Sequence, residues 1–223
     1  MSGPGTSGAD VVVAIDVGGT VTKCALVGAG DHAVKHAERH PTGASDGTDA
    51  VVARLLSLAE GLTDRARGLG LTPRAVGLVV PGIVDEARGM AAYAANLGWL
   101  DLPLRDLAAQ RTGLPTVLGH DVRAGGLAEA RLGAGRGVAQ LLFVPIGTGI
   151  AGAHVVAGHP ASGAHGAACE LGHVVVRPSG RPCGCGRRGC LEAEASARAV
   201  ADRYAELTAA AEPGAAAAAR AGA

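Results

Sequence analysis

Glu170, His173, Cys183, Cys185, Cys190 and Glu192 gather the most reactive side-chain types of this 223-residue chain into one short stretch. Three thiolates with one imidazole are the Cys3His set that a tetrahedral structural Zn2+ takes, so His173, Cys183, Cys185 and Cys190 are expected to bind zinc. Gly180, Pro182, Gly184, Gly186 and Gly189 are interleaved with them, which lets a short backbone double back until four ligands converge. The Cys-x-Cys spacing departs from the two-residue gap of ordinary zinc fingers. A disulfide loop or free structural thiols are the alternatives, and the lack of a secretory context favours the metal.

A second cluster lies near the start of the chain. Asp16, Gly18, Gly19, Thr20 and Lys23 surround a turn between two β-branched runs. Glycines there would let backbone N–H groups approach a phosphate, Thr20 would add a hydroxyl donor, and Asp16 would organise Mg2+ or its waters. A glycine hairpin that binds nothing has the same pattern. The device recurs at Gly147-Thr148-Gly149, again between apolar runs.

The elements that must hold these residues alternate between strand and helix, which predicts an α/β fold. Val11 to Val17 and Val21 to Val27 predict a β-hairpin. Val51, Leu55, Leu58 and Leu62 recur at helical spacing between Asp46 and Gly70, with Thr48 or Asp49 as N-cap and Gly68 or Gly70 as stop. Ala75 to Val80 predicts a buried strand that ends at Pro81-Gly82, where such sheets present ligand contacts. A polar loop follows at Asn96-Leu97-Gly98-Trp99, in which Asn96 is either a hydrogen-bonding group for a hydroxylated ligand or a turn former. A helix over 104–111 and a strand over 115–119 then deliver His120 and Asp121 to the head of a helix over 122–132. Asp121 suits an N-cap there. Strands are predicted over 139–146 and 150–156, and one helix over 193–210. Residues 1–9 and 211–223 read as low-complexity tails, leaving lobes of 10–122 and 123–210.

Composition narrows the partners. Twenty basic and twenty acidic residues cancel, and aromatics make up 2% of the chain, so neither a positive field nor a stacking platform for nucleic acid is present. Arg177, Arg181, Arg187 and Arg188 around the cysteines suggest a zinc ribbon that binds nucleic acid, but the neutral balance argues for a solvated basic loop. No apolar run approaches the roughly 18 residues a membrane span requires, and no leader precedes the first strand, so a cytoplasmic protein is expected.

Taken together, the ordered motifs resemble the ROK family of bacterial glucokinases, related hexose kinases and sugar-responsive repressors, built on the two-lobed actin-like ATPase fold. The resemblance rests on Glu170-Leu171-Gly172-His173, on Cys183, Cys185, Cys190 and Glu192, and on Asp16 to Lys23, Pro81-Gly82, Asn96 with Trp99 and Gly147-Thr148-Gly149 in the family's order. It implies ATP-dependent phosphorylation of a hexose hydroxyl, with ATP and Mg2+ held at Asp16, Gly18, Gly19, Thr20, Lys23, Gly147, Thr148 and Gly149. Asp121 matches the family's catalytic aspartate, which would accept the hydroxyl proton. Asn96, His120, Asp121, Glu170, His173 and Glu192 match sugar-contacting positions, with His173 shared between zinc and sugar. A homodimer is implied as well.

Three departures stand beside the resemblance. His120 occupies the place where the family has Asn. Ala151 and Ala153 stand where it tends to have glycine. The family's later part, with a further glycine-rich loop near the adenosine and a closing helix, is expected to be missing, leaving the second lobe incomplete. The alternative reading is a ROK-type sugar-binding sensor without kinase activity. Nine residues before the first strand hold no winged helix-turn-helix, so that sensor would need a DNA-binding partner.

Overall fold

The structure is a computed structural model that describes residues 8–211. The expected tails therefore lie outside the described residues, apart from Gly8 and Ala9 at one end and Ala211 at the other. The chain divides into two compact units between Ala124 and Gly125.

The first unit is built on a five-stranded sheet. Its strands are β1 (Asp10–Val17), β2 (Val21–Gly28), β3 (Val34–Pro41), β4 (Thr72–Val80) and, after three short strands of another sheet, β8 (Thr116–His120). The spatial order is β3-β2-β1-β4-β8, with β1, β4 and β8 parallel and β2 and β3 antiparallel to their neighbours. Period-two alternation sends Val11, Val13, Ile15 and Val17 to one face. There they pack under α1 (Thr48–Gly68) and α2 (Leu104–Thr112), through Val51, Leu55, Leu62, Leu104 and Ala108. Each such Val, Leu or Ile taken fully out of water contributes about 1.5–3 kcal/mol.

Several expected features shift. β3 was not predicted: its Lys35, His36, Glu38, Arg39 and His40 hide the alternation, and as an edge strand it uses that charge to discourage further pairing. α1 is capped at Gly47 with no side-chain cap, because the Thr48 hydroxyl donates instead to the Gly98 carbonyl at 2.9 Å. The expected polar loop is the turn over 95–98 that joins two strands of a small antiparallel sheet, β5 (Ile83–Asp85), β6 (Met90–Ala94) and β7 (Trp99–Leu102), and Trp99 itself starts β7 and is buried in the core.

The second unit carries most of α3 (Asp121–Leu132), then β9 (Gln140–Phe143), β10 (Ala153–Val156) and β11 (His159–Pro160) in a three-stranded antiparallel sheet. The two strands expected over 139–146 and 150–156 are thus shorter. Residues 144–152 form a loop pinched only by a bridge between Ile146 and Ile150. The single helix expected over 193–210 is two, α4 (Leu191–Ala195) and α5 (Ala197–Ala211). Ser196 separates them in extended conformation, and its buried hydroxyl accepts the Ala199 N–H at 3.1 Å, so it caps the second helix. Among the described residues no helix is long and apolar enough to cross a membrane.

Candidate functional site

In the first unit the turn between β1 and β2 is held from outside. The Thr42 hydroxyl donates to the Gly18 carbonyl at 2.7 Å, and the Thr42 N–H donates to the Thr20 carbonyl at 2.9 Å. The Gly18 N–H is itself spent on the Val21 carbonyl at 3.0 Å, which removes it from the set of expected anion donors. Gly19 packs against Asn96: a Cβ there would lie 2.9 Å from Asn96 Nδ2. The turn and Asn96, 77 residues later in the chain, are therefore side by side. Asp16 is paired with Lys23 at 3.0 Å, so a cation organised by Asp16 has to share it with, or displace, the ammonium.

β8 and α3 meet at His120 and Asp121. His120 is 7% exposed, and burial, with the Arg123 charge beside it, pushes its imidazole down from 6.5 to about 4 against the opposing pull of Glu86. It is therefore neutral at physiological pH. Its Nδ1 faces the Arg123 N–H and Asp121 Oδ1, each at 3.4 Å. Asp121 was expected to precede the helix as a cap. It is instead the first residue of α3, and its Oδ1 accepts the adjacent Val122 N–H at 2.7 Å.

In the second unit Gly147, Thr148 and Gly149 lie in the pinched loop, where the Gly147 N–H closes on the Gly149 carbonyl at 2.9 Å. As at Gly18, the first glycine of the turn offers its N–H to the chain itself. Glu192 Oε2 takes the Ile150 N–H at 2.9 Å, and a Cβ on Gly149 would meet that same oxygen at 2.4 Å. Glu170 precedes a 3-10 turn over Leu171–His173. Gly172 in that turn is buried so tightly that a Cβ would sit 2.0 Å from the Ile150 carbonyl and 3.3 Å from Glu192 Cβ. The Glu170-to-His173 segment, the 147–149 turn and Glu192 thus share one neighbourhood.

The cysteine loop converges as the spacing suggested. One ligand atom from each of His173, Cys183, Cys185 and Cys190 lies within 4.8 Å of the other three. Cys183 Sγ is 3.6 Å from His173 Nδ1 and Cys185 Sγ is 3.6 Å from Cys190 Sγ. Zinc–thiolate bonds of about 2.3 Å in a tetrahedron set ligand atoms roughly 3.7 Å apart, which these spacings match. A disulfide would need sulfurs about 2.05 Å apart, and all five cysteines are free. Arg187 holds the Cys185 thiol down to about 6, through its backbone N–H first and its guanidinium second, whereas burial pushes Cys190 up to about 11. Gly189 makes the loop possible. Its φ is +67°, and a Cβ would fall 1.5 Å from the Arg177 carbonyl oxygen.

Two supporting groups escaped sequence reasoning. Glu194 Oε1 accepts the Arg181 N–H at 2.7 Å and so fastens the cysteine loop to α4. Glu86 bonds to both His120 and Arg123. In each case the partner is distant in sequence, 13 residues away for Glu194 and 34 and 37 for Glu86, so local spacing does not reveal the contact.

Known proteins match this chain over most of its length. A glucokinase of Halalkalibacterium halodurans is 36% identical over 193 residues, covering 85% of this chain and 57% of that one. The crystal structure of a ROK family glucokinase from Streptomyces griseus, in complex with glucose and AMPPNP, is 32% identical and superposes with a TM-score of 0.78 over 91% of this chain and 62% of its own. A ROK family transcriptional regulator, a homologue of the E. coli MLC protein, is 27% identical with a TM-score of 0.80 over 92% of this chain and 51% of its own. The chain thus spans somewhat over half the length of the relatives it matches. Those neighbours have the actin-like ATPase fold, and since residues 12–221 match the ROK family along nearly the whole sequence, the chain belongs to that family.

Proposed function

We propose that this chain carries the machinery of an ATP-dependent hexose kinase, in which Asp121 is the general base. The observation that carries the reading is the contact of Asn96 with Gly19, which puts a candidate sugar-binding amide against a candidate phosphate turn. Membership of a family that includes glucose- and AMPPNP-bound glucokinase supports it.

In this reading Asp121 accepts the proton of the sugar hydroxyl as its oxygen attacks the γ-phosphorus, and the bond to the β-phosphate oxygen breaks. Neutral His120 adds no charge to compete with that transfer. Asn96 in the first unit, and Glu170, His173 and Glu192 in the second, are the candidate hydroxyl contacts, carboxylates being suited to accept from paired O–H donors. Gly19, Thr20 and Lys23 in the first unit and Thr148 and Gly149 in the second are the candidate phosphate contacts, with Gly18 and Gly147 shaping the turns. Mg2+ near Asp16 would neutralise phosphate charge. Zn2+ on His173, Cys183, Cys185 and Cys190 would be structural, fixing the imidazole through Nδ1.

A second reading, a sugar-binding regulator without turnover, is favoured by His120 standing where the resemblance expects Asn and by the fit to the MLC homologue. A coupled ADP-release assay with glucose, N-acetylglucosamine and N-acetylmannosamine separates the two. Sugar-dependent ADP release that Asp121→Asn abolishes supports the kinase. Turnover no faster than Asp121→Asn with every sugar rejects it, and sugar binding without turnover then supports the regulator.

A further inference from the structure

We propose that Glu86 and Arg123 form a clamp that positions Asp121 for proton transfer, an inference that rests on the kinase reading above. Neither residue belongs to the motifs that mark the site. Both are positioning residues, acting through the backbone at either side of the aspartate.

The geometry starts from an anomaly. Arg123 lies in the first turn of α3, where the helix presents the positive end of its dipole, so a cation is disfavoured there by about 0.3–1 kcal/mol. It is also only 4% exposed, and a buried guanidinium is strongly destabilising unless paired. Helix formation therefore does not account for an arginine at this position. Its partner does: Glu86 Oε1 lies 3.0 Å from Arg123 Nε and 3.0 Å from Arg123 Nη2.

The same carboxylate oxygen accepts the His120 N–H at 3.2 Å, while Arg123 Nη2 donates to the Val84 carbonyl at 3.4 Å. One oxygen on the β5–β6 turn thus gathers donors from positions 120 and 123, which flank Asp121. Both guanidinium contacts fall on that one oxygen, and with the Nη2 bond to the Val84 carbonyl they fix the plane of the guanidinium more than a single bond would. The first turn of α3, with the end of β8, is held in azimuth by a group outside both elements.

The consequence for chemistry is one of placement. A general base has to meet its proton within hydrogen-bond reach, and an error of about 1 Å in placement costs on the order of 100-fold in rate. Ground-state sugar binding, spread over several hydroxyls, is far less sensitive to the angle of one carboxylate. The clamp should therefore be visible in kcat and nearly silent in KM.

Glu86→Gln keeps an amide oxygen that can accept from Arg123 and His120 but removes the charge that pairs the buried guanidinium, so some loss of stability accompanies it and the kcat-against-KM split carries the test. The expected result is a fall in kcat of about 10- to 100-fold with the sugar KM within about threefold, alongside a lowered thermal midpoint, when turnover is measured well below that midpoint. Arg123→Lys, which keeps the charge but not the fork, should fall similarly, and the double variant should be no worse than the worse single. An unchanged kcat in Glu86→Gln overturns the clamp, as does a loss shared equally by kcat and KM. If the wild-type chain turns over no sugar, the kinase reading fails by itself and NMR titration of His120 decides the clamp's geometry. Arg123→Met should then raise the His120 midpoint and Glu86→Gln should lower it; midpoints unmoved in both variants overturn the clamp independently of catalysis.

Discussion

Glu192 Oε2 accepts the Ile150 N–H at 2.9 Å, which ties the first turn of α4 to the loop holding Gly147, Thr148 and Gly149. Glu192→Ala leaves that partly buried N–H without its partner, a loss of about 1–3 kcal/mol. Glu192→Gln keeps an acceptor and should lose less than about 1 kcal/mol. Urea unfolding of the two variants measures the difference. If Glu192 also binds sugar, both variants weaken hexose binding in calorimetry, and the alanine variant is the less stable of the two.

Metal removal tests the cysteine loop. Protein purified without chelator should contain one zinc per chain, and Cys185→Ser, which deletes an exposed ligand, should lower that content and destabilise the second unit. Native protein free of zinc would show the four side chains to be an unoccupied cluster.

Gly189→Ala is the sharpest conformational test. The new Cβ would require φ of +67° and would collide with the Arg177 carbonyl, a backbone atom that cannot swing aside. Zinc stoichiometry should drop as far as in a ligand variant, although no ligand is touched. Gly184→Ala, at a site with open space around the missing Cβ, serves as the control.

His120 predicts a pH dependence of stability. Its folded value, about 4, lies below the ordinary 6.5, so on acidification the unfolded chain takes up this proton first. The stability from burying the neutral ring is complete above pH 6.5 and is lost as pH falls toward 4, up to about 3 kcal/mol in all. Thermal melts of wild type and His120→Asn from pH 7 to pH 4.5 check this: the wild-type midpoint should fall more steeply.

Lys23→Met should barely change stability, since the Lys23–Asp16 pair is exposed and such pairs contribute at most about 1 kcal/mol. Its effect belongs to ligands. By removing the cation that competes for Asp16, the variant should bind Mg2+ alone more tightly while binding AMPPNP–Mg2+ more weakly.

The parts of the fold readable from sequence were those with a strong period or a punctuating glycine. β1 and β2 alternate cleanly, and α1 repeats its leucines at helical spacing, so both emerge close to their observed bounds. β3 does not, because an edge strand covers its outward positions with charge. The break at Ser196 was hidden by an alanine-rich run that is equally compatible with one helix. At the site, residue types and order were enough to suggest the zinc ligands, and the structure brings those four together. Glu86, Arg123 and Glu194 were beyond reach: each acts through a partner distant in sequence, and nothing local distinguishes them from ordinary surface charge.

The brevity of α4 has a dynamic consequence. Five residues are too few to hold a helix in water, since nucleation is unfavourable and little propagation follows. Its turn persists because Glu192 is fastened to one loop and Glu194 to another. The amides of Glu194 and Ser196, bonded to the carbonyls of Cys190 and Glu192, should therefore exchange with solvent at a rate set by the anchors and not by the helix. Their deuterium uptake would be a local clock for metal occupancy, quickening on chelation before the rest of the unit opens.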